Sequence, residues 1–250
     1  MLLTPLEQFQ IISLVPLTLF GLDFSFTNLF LISLLVLFFF NLLIYFSSKN
    51  NSFFFVPHIW QVFLELLNEL VSSLLYDNLN KKGEKFFPFI GLIFNFIVFV
   101  NLFGLIPYSF TVTSHLIITF LMSLSIFIGV NIIGIRLYKF QMLSLFLPAN
   151  TSFGLSLLLV PIEFVSYIFR PISLGVRLFA NLMAGHTLLK VIIGFSWSML
   201  ILENFMSYFH VIPLILIVVL FGLELAVAVI QACVFTILTC IYLNDSINLH

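Results

Sequence analysis

Residues 153–200 read FGLSLLLVPIEFVSYIFRPISLGVRLFANLMAGHTLLKVIIGFSWSML, and residues 208–243 read YFHVIPLILIVVLFGLELAVAVIQACVFTILTCIYL. Each run is almost wholly apolar and far longer than the ~20 residues a helix needs to cross ~30 Å of hydrocarbon. The extra length predicts a long hairpin of two strongly tilted or bent helices, with Pro161 and Pro171 as natural bend points. Polar groups interrupt both runs: Glu163, Arg170, Arg177, His186 and Lys190 in the first, Glu224 and Gln231 in the second. A charge at the centre of a bilayer costs ~2.5–3.5 kcal/mol on insertion scales, so such residues are functional candidates by default.

The rest of the chain shares this character. Of 250 residues, 62% are hydrophobic and 8% are charged, against roughly 25% charged in a soluble domain. A soluble globule of this size leaves too much surface in water to hide that composition. A soluble enzyme, a nucleic-acid-binding domain and a disordered chain are therefore excluded. Net charge is −1, which gives no general attraction for a polyanion. The apolar runs are continuous rather than alternating, which argues against a transmembrane β-barrel. The class is an all-α polytopic membrane protein, read as one membrane domain over 1–250. Spans are predicted at 24–46, 86–106 and 116–138, followed by the pair at 153–200 and 208–243. No internal repeat is evident.

Residues 58–80 differ. Gln61, Glu65, Asn68, Glu69, Ser72 and Ser73 form one polar stripe at helical spacing, with Trp60, Phe63, Leu64, Leu67, Leu70, Leu74 and Leu75 elsewhere. This predicts an amphipathic helix lying in the interface. Its polar face is acidic, which suits a protein partner better than lipid headgroups. If this helix does not cross, Lys49, Lys81, Lys82, Lys85, Arg136 and Lys139 share one side, and Glu7 and Asp23 share the other. The positive-inside rule then puts the N-terminus outside and, after five crossings, the C-terminus inside.

Glu163, Arg170 and Arg177 are spaced by seven and share one helix face; Asn181 lies near it. His186, nine beyond Arg177, points to the opposite side. Glu224 and Gln231 share a face of the last helix. These groups have two readings: pairs that staple two helices, or a proton route. An arginine with titratable groups on two adjacent helices suits the route better. Arg keeps its proton and acts as a fixed charge, whereas Glu and His can pass protons on.

From 173 to 186 the chain reads SLGVRLFANLMAGH. This stretch resembles subunit a of the F-type ATP synthase membrane sector in its mitochondrial form. The likeness continues through NLFGLIPY (101–108), TSH (113–115), GLELAVAVIQA (222–232) and TILTCIYLND (236–245). The resemblance implies a stator facing a rotating c-ring, with two offset proton half-channels and a peripheral stalk among its partners. It implies a part of an H⁺-transporting ATPase with no catalytic site of its own, no cofactor, and H⁺ as the transported ion. Arg177 matches the family's essential arginine, and Asn181 and Gln231 match its polar neighbours. His186 and Glu224 match the pair lining the intake side. Glu163 matches the outlet carboxylate, with Asp245 on that side. A His on the Arg helix with a Glu on the last helix looks mitochondrial or alphaproteobacterial. The implied location is the mitochondrial inner membrane, with a bacterial plasma membrane as the alternative.

The remaining polar residues have plainer readings. Asn28, Asn95 and Asn101 are expected to hydrogen-bond across helices. Arg170 has two readings, contact with the outlet carboxylate or snorkelling to the inner headgroups, of which snorkelling is favoured, and Lys190 is expected to snorkel outward. His115 is either a lining of the intake vestibule or a structural residue at the interface. His58, His210 and His250 read as interfacial and Glu203 as a solvated loop residue. Cys233 and Cys240 read as packing residues, and Asn150-Thr151-Ser152 matches a glycosylation acceptor of a kind common by chance. Two rival functions are a secondary transporter or ion channel, which lacks a broken-helix repeat, and a haem-holding anchor. The latter wants facing His ligands, whereas only His186 lies well inside a span.

Overall fold

The structure, a computed structural model, describes residues 7–19, 22–48, 59–106, 109–139, 141–142, 153–201 and 210–247. Among the expectations above, Lys49, His58, Pro107-Tyr108, Asn150-Thr151-Ser152, Glu203 and His250 lie outside the described residues. Helices dominate: α1 (Asn28–Ser48), α2 (Ile59–Leu79), α3 (Phe87–Gly104), α4 (Leu116–Tyr138), α5 (Phe153–Ile201) and α6 (Val211–Ile247). Segments of α1, α3, α4, α5 and α6 are long and apolar enough to cross a membrane. The amphipathic α2 is not among them.

The segment ahead of the first long helix holds short strands, which were not foreseen from the sequence. Four short strands, β1 (Ser13–Val15), β2 (Thr18–Leu19), β3 (Leu22–Asp23) and β4 (Phe26–Thr27), form two small antiparallel pairs, β1 with β4 and β2 with β3. The apolar run beginning at Phe24 therefore turns helical only at Asn28. Capping sets that boundary. The Thr27 hydroxyl accepts a hydrogen bond from the Phe30 backbone N–H at 3.4 Å, as an N-cap residue does. Asn28 then ties the helix start to the segment just ahead of β1. Its side-chain oxygen accepts from the Ile12 backbone N–H at 3.3 Å, and its amide donates to the Gln10 carbonyl at 3.2 Å.

The chain divides into two compact units, each assembled from separate stretches: Met1–Gln61, Phe96–His115 and Phe179–Ala232 in one, Val62–Asn95, Leu116–Leu178 and Cys233–His250 in the other. Both α5 and α6 contribute to each. In the first unit, Phe39 meets Phe99 and Phe103 edge-on, with ring centroids 6.5 and 5.2 Å apart. Val36, Ile97, Val100, Leu182 and Ala228 are buried there. In the second, Val71, Leu75 and Leu79 of α2 are buried, four residues apart on one narrow stripe, while Glu65, Asn68, Glu69, Ser72 and Ser73 are exposed. Ile59, Trp60, Phe63, Leu66 and Leu70 are also exposed, so α2 carries a second apolar band in addition to the stripe it buries.

α5 runs unbroken through Pro161 and Pro171. α4 ends where Lys139 takes a left-handed backbone with φ 49°, a usual way to stop a helix. Large apolar side chains such as Leu157, Ile193, Trp197, Leu214, Val218 and Leu223 stand exposed on α5 and α6. Surfaces of that kind want an apolar surrounding rather than water.

Candidate functional site

Two polar clusters form between α5 and α6, one in each unit. In the first, Asn181 of α5 donates its side-chain amide to the Gln231 oxygen of α6 at 2.8 Å. Further along the same helices, His186 Nδ1 lies 3.4 Å from Glu224 Oε1. Glu224 is only 5% exposed. The fit depends on Gly185, because a Cβ at that position would come within 2.8 Å of Glu224 Oε1. A cavity of about 270 Å³, lined by Asn181, Gly185, Leu188, Leu220, Glu224 and Val227 among others, adjoins both pairs.

This cluster is polar but incomplete. Both Glu224 oxygens, His186 Nε2 and Gln231 Nε2 are buried with no hydrogen-bond partner among the described residues. His186 and Glu224 thus face one another at 3.4 Å beside a cavity, a little beyond the ~2.6–3.2 Å over which a proton passes directly between heavy atoms.

In the second cluster, Arg170 Nη1 donates to Asp245 Oδ2 at 2.9 Å. The guanidinium lies 5.3 Å from the Tyr167 ring centroid and 5.3 Å from that of Tyr242. The Tyr167 hydroxyl hydrogen-bonds Asn131 of α4, and its ring packs on Phe127 with centroids 4.9 Å apart. Arg170 is thus held by an ion pair and two rings, which corrects the expectation that it snorkels to headgroups. Asp245 lies on α6 because that helix runs to Ile247, four residues beyond the apolar run that predicted it. Glu163 stands apart from the pair, with a buried Oε2 that has no partner among the described residues. Arg177 is exposed, and its Nη2 reaches the Ser173 hydroxyl at 3.5 Å.

Other expectations meet a mixed outcome. Asn101 does bond across helices, donating to the Ala228 carbonyl of α6 at 3.2 Å. Asn95 instead donates within its own helix to the Gly91 carbonyl at 2.9 Å, and Asn28 bonds Gln10 and Ile12 ahead of β1. His115 stacks on Phe110, with centroids 5.2 Å apart and planes 26° apart. Burial pushes its imidazole below the usual value of 6.5. Cys240 is buried, Cys233 half-buried, and both are free thiols. Sequence reasoning missed Asn131, Tyr167 and Tyr242. Their only signal was position: Tyr167 sits three residues before Arg170, and Tyr242 three before Asp245.

Comparison with known proteins points one way. Residues 28–244 match the family described as ATP synthase A chain. The chain is 47% identical over 247 residues to an ATP synthase subunit a of Chondrus crispus, covering 99% of this chain and 97% of the relative. It is 52% identical over 250 residues to one of Pylaiella littoralis, covering 99% of each. It is 48% identical over 252 residues to one of Oenothera berteroana, covering 99% of this chain and 90% of the relative. A family match over most of the chain, carried by relatives of nearly the same length, is decisive: this chain belongs to the ATP synthase A chain family.

Proposed function

We propose that the chain is the proton-conducting stator subunit of an F-type ATP synthase. It offers two offset half-channels to a rotating c-ring and so couples proton flow to rotation and ATP synthesis. Its partners in this reading are the c-ring, the peripheral stalk, other membrane-sector subunits and the bilayer. Catalysis of ATP formation belongs to other subunits, no cofactor is needed, and the transported ion is H⁺. The long α5 and α6 form a tilted hairpin against the ring. The observation that carries the reading is the pairing of Asn181 with Gln231 and of His186 with Glu224 across α5 and α6.

Protons enter past His186 and Glu224 and reach a ring carboxylate. After nearly a full turn they leave by way of Glu163, with Asp245 on the outlet side. A bare ring carboxylate is prohibitive in lipid. Opposite Arg177 its charge is offset, so it releases its proton there. The same fixed charge repels a proton hopping straight between half-channels, which makes rotation obligatory. A membrane potential supplies roughly 2.3 kcal/mol per charge per 100 mV. Lys and Arg placement supports an N-terminus outside and a C-terminus inside, in the mitochondrial inner membrane or, as the alternative, a bacterial plasma membrane.

Glu163 precedes Arg177 by roughly 21 Å of helix, and His186 follows it by roughly 13 Å. Cysteines placed at 163 and 186, in a chain lacking Cys233 and Cys240, should therefore meet different aqueous compartments. A membrane-impermeant thiol reagent should label 163 from the inside and 186 from the outside, because only a thiolate in water reacts quickly. Labelling of both from one side overturns the two-channel reading.

A further inference from the structure

We propose that Arg170 is a positioning residue that fastens the C-terminal end of α6, and that Asp245 is its anchor rather than a carrier of the departing proton. The proposal rests on the outlet role read above and changes its membership: Glu163 remains the carrier, and Asp245 becomes part of the frame.

Several contacts converge on the last two turns of α6. Arg170 Nη1 holds Asp245 Oδ2 at 2.9 Å. The guanidinium plane is flanked by Tyr242 from α6 and Tyr167 from α5, each 5.3 Å away. A flat, delocalised cation suits that slot, and a lysine does not. Tyr167 is itself fixed by Asn131 and Phe127 of α4. From the end of α4, the Tyr138 hydroxyl donates to the Ile247 carbonyl at 2.5 Å, one of the carbonyls a helix end leaves without a partner. Leu243, Ser246 and Ile247 are buried around these ties.

The charges favour a lasting tie. A guanidinium does not give up its proton, so the cationic half of the salt bridge is fixed. The Arg170 and Asp245 side chains are 34% and 40% exposed. In water such a pair contributes little, but an apolar surrounding strengthens it. Glu163 has the opposite character, since its buried Oε2 bonds to nothing among the described residues. A group meant to take and release a proton needs such an open position. The other titratable groups near the tie are Tyr138, Tyr167 and Tyr242, with Arg177 two turns along α5.

The test pairs a structural readout with a transport readout in the assembled complex. For the first, Ile247→Cys is placed in a chain with both native cysteines replaced by serine. The thiol should label slowly in the parent, several-fold faster with Arg170→Gln, and slowly again with Arg170→Gln plus Asp245→Asn, whose two amides can pair. For the second, each single change should lower proton-driven ATP synthesis by roughly tenfold, as expected when one partner is left uncompensated. The double change should recover most of it. Unchanged labelling in Arg170→Gln overturns the positioning role. A double variant as inactive as Asp245→Asn alone, with labelling restored, makes Asp245 a proton carrier after all. Should Arg177→Ala still transport protons, the functional reading fails, while the labelling result on the tie stands.

Discussion

Two polar clusters join α5 to α6, and they meet opposite standards of completeness. Around Arg170 and Asp245, donors meet acceptors: ion pair, Tyr167 hydroxyl and Tyr138 hydroxyl all have partners. Around His186 and Glu224, buried atoms go without: both Glu224 oxygens and His186 Nε2 have no hydrogen bond among the described residues. An unsatisfied buried polar group costs ~1–3 kcal/mol. A structural staple would have been completed or replaced by apolar side chains. The incomplete cluster is the one expected to handle protons, because a group with every position filled has nowhere to accept one.

The contrast can be broken at its strongest point first. Replacing Arg177 by alanine should abolish proton-driven ATP synthesis and ATP-driven pumping in membrane vesicles, with the complex still assembled on a native gel. Near-normal synthesis would mean that neither cluster serves a proton route. Next in size is Glu224→Gln, which should slow transport by ~100-fold or more, in line with the worth of a positioned acid–base group. Exchanging the partners, His186→Glu with Glu224→His, should recover part of that loss. A double exchange no better than Glu224→Gln would show that the two groups do not act together.

Smaller effects sharpen the comparison from the structural side. A Cβ at Gly175 would lie 2.7 Å from Ser123 Oγ and 3.0 Å from both the Phe120 Cα and the Thr119 carbonyl oxygen. Two of those three atoms are backbone and cannot swing away. Gly175→Val should therefore destabilise the chain by about 1–3 kcal/mol, read as earlier loss from the detergent-solubilised complex on heating. The smallest effect concerns His115, whose burial holds its imidazole below the usual value of 6.5. The unfolded chain takes up that proton more readily. The contribution of neutral His115 is thus fully present above the ordinary histidine value and is lost as pH falls through the lowered one. Heat stability should drop on acidification across that window, and His115→Gln should flatten the drop; equal slopes for both would remove His115 from the account.

The spans were legible because lipid demands long unbroken apolar runs, and residues 116–138 read straight off as α4. Boundaries set by single hydrogen bonds were not. Thr27 and Asn28 look like any polar pair inside an apolar stretch until their partners at Phe30 and Gln10 are in place. The same limit applies to the polar clusters. Heptad spacing put Glu163, Arg170 and Arg177 on one face, and burial cost made them conspicuous. Nothing in the order of residues says that Arg170 finds Asp245, 75 positions away, since side-chain pairing depends on how α5 and α6 register. The readout for Glu224 and Gln231 was easier, because seven-residue spacing fixes their common face whatever the packing.

The hydrogen bond from Asn101 to the Ala228 carbonyl has an uneven heredity. Its acceptor is main chain, which every residue supplies, so α6 can change its side chain at 228 and still present the same oxygen. The donor is one particular amide, and no other side chain at 101 offers the same reach and chemistry. Drift is thus tolerated on one side and punished on the other. At 228 the tolerance has a size limit, since Ala228 is 1% exposed and a bulkier residue would push the oxygen out of reach. Among descendants of this sequence, position 101 should stay asparagine while position 228 wanders among the smallest residues.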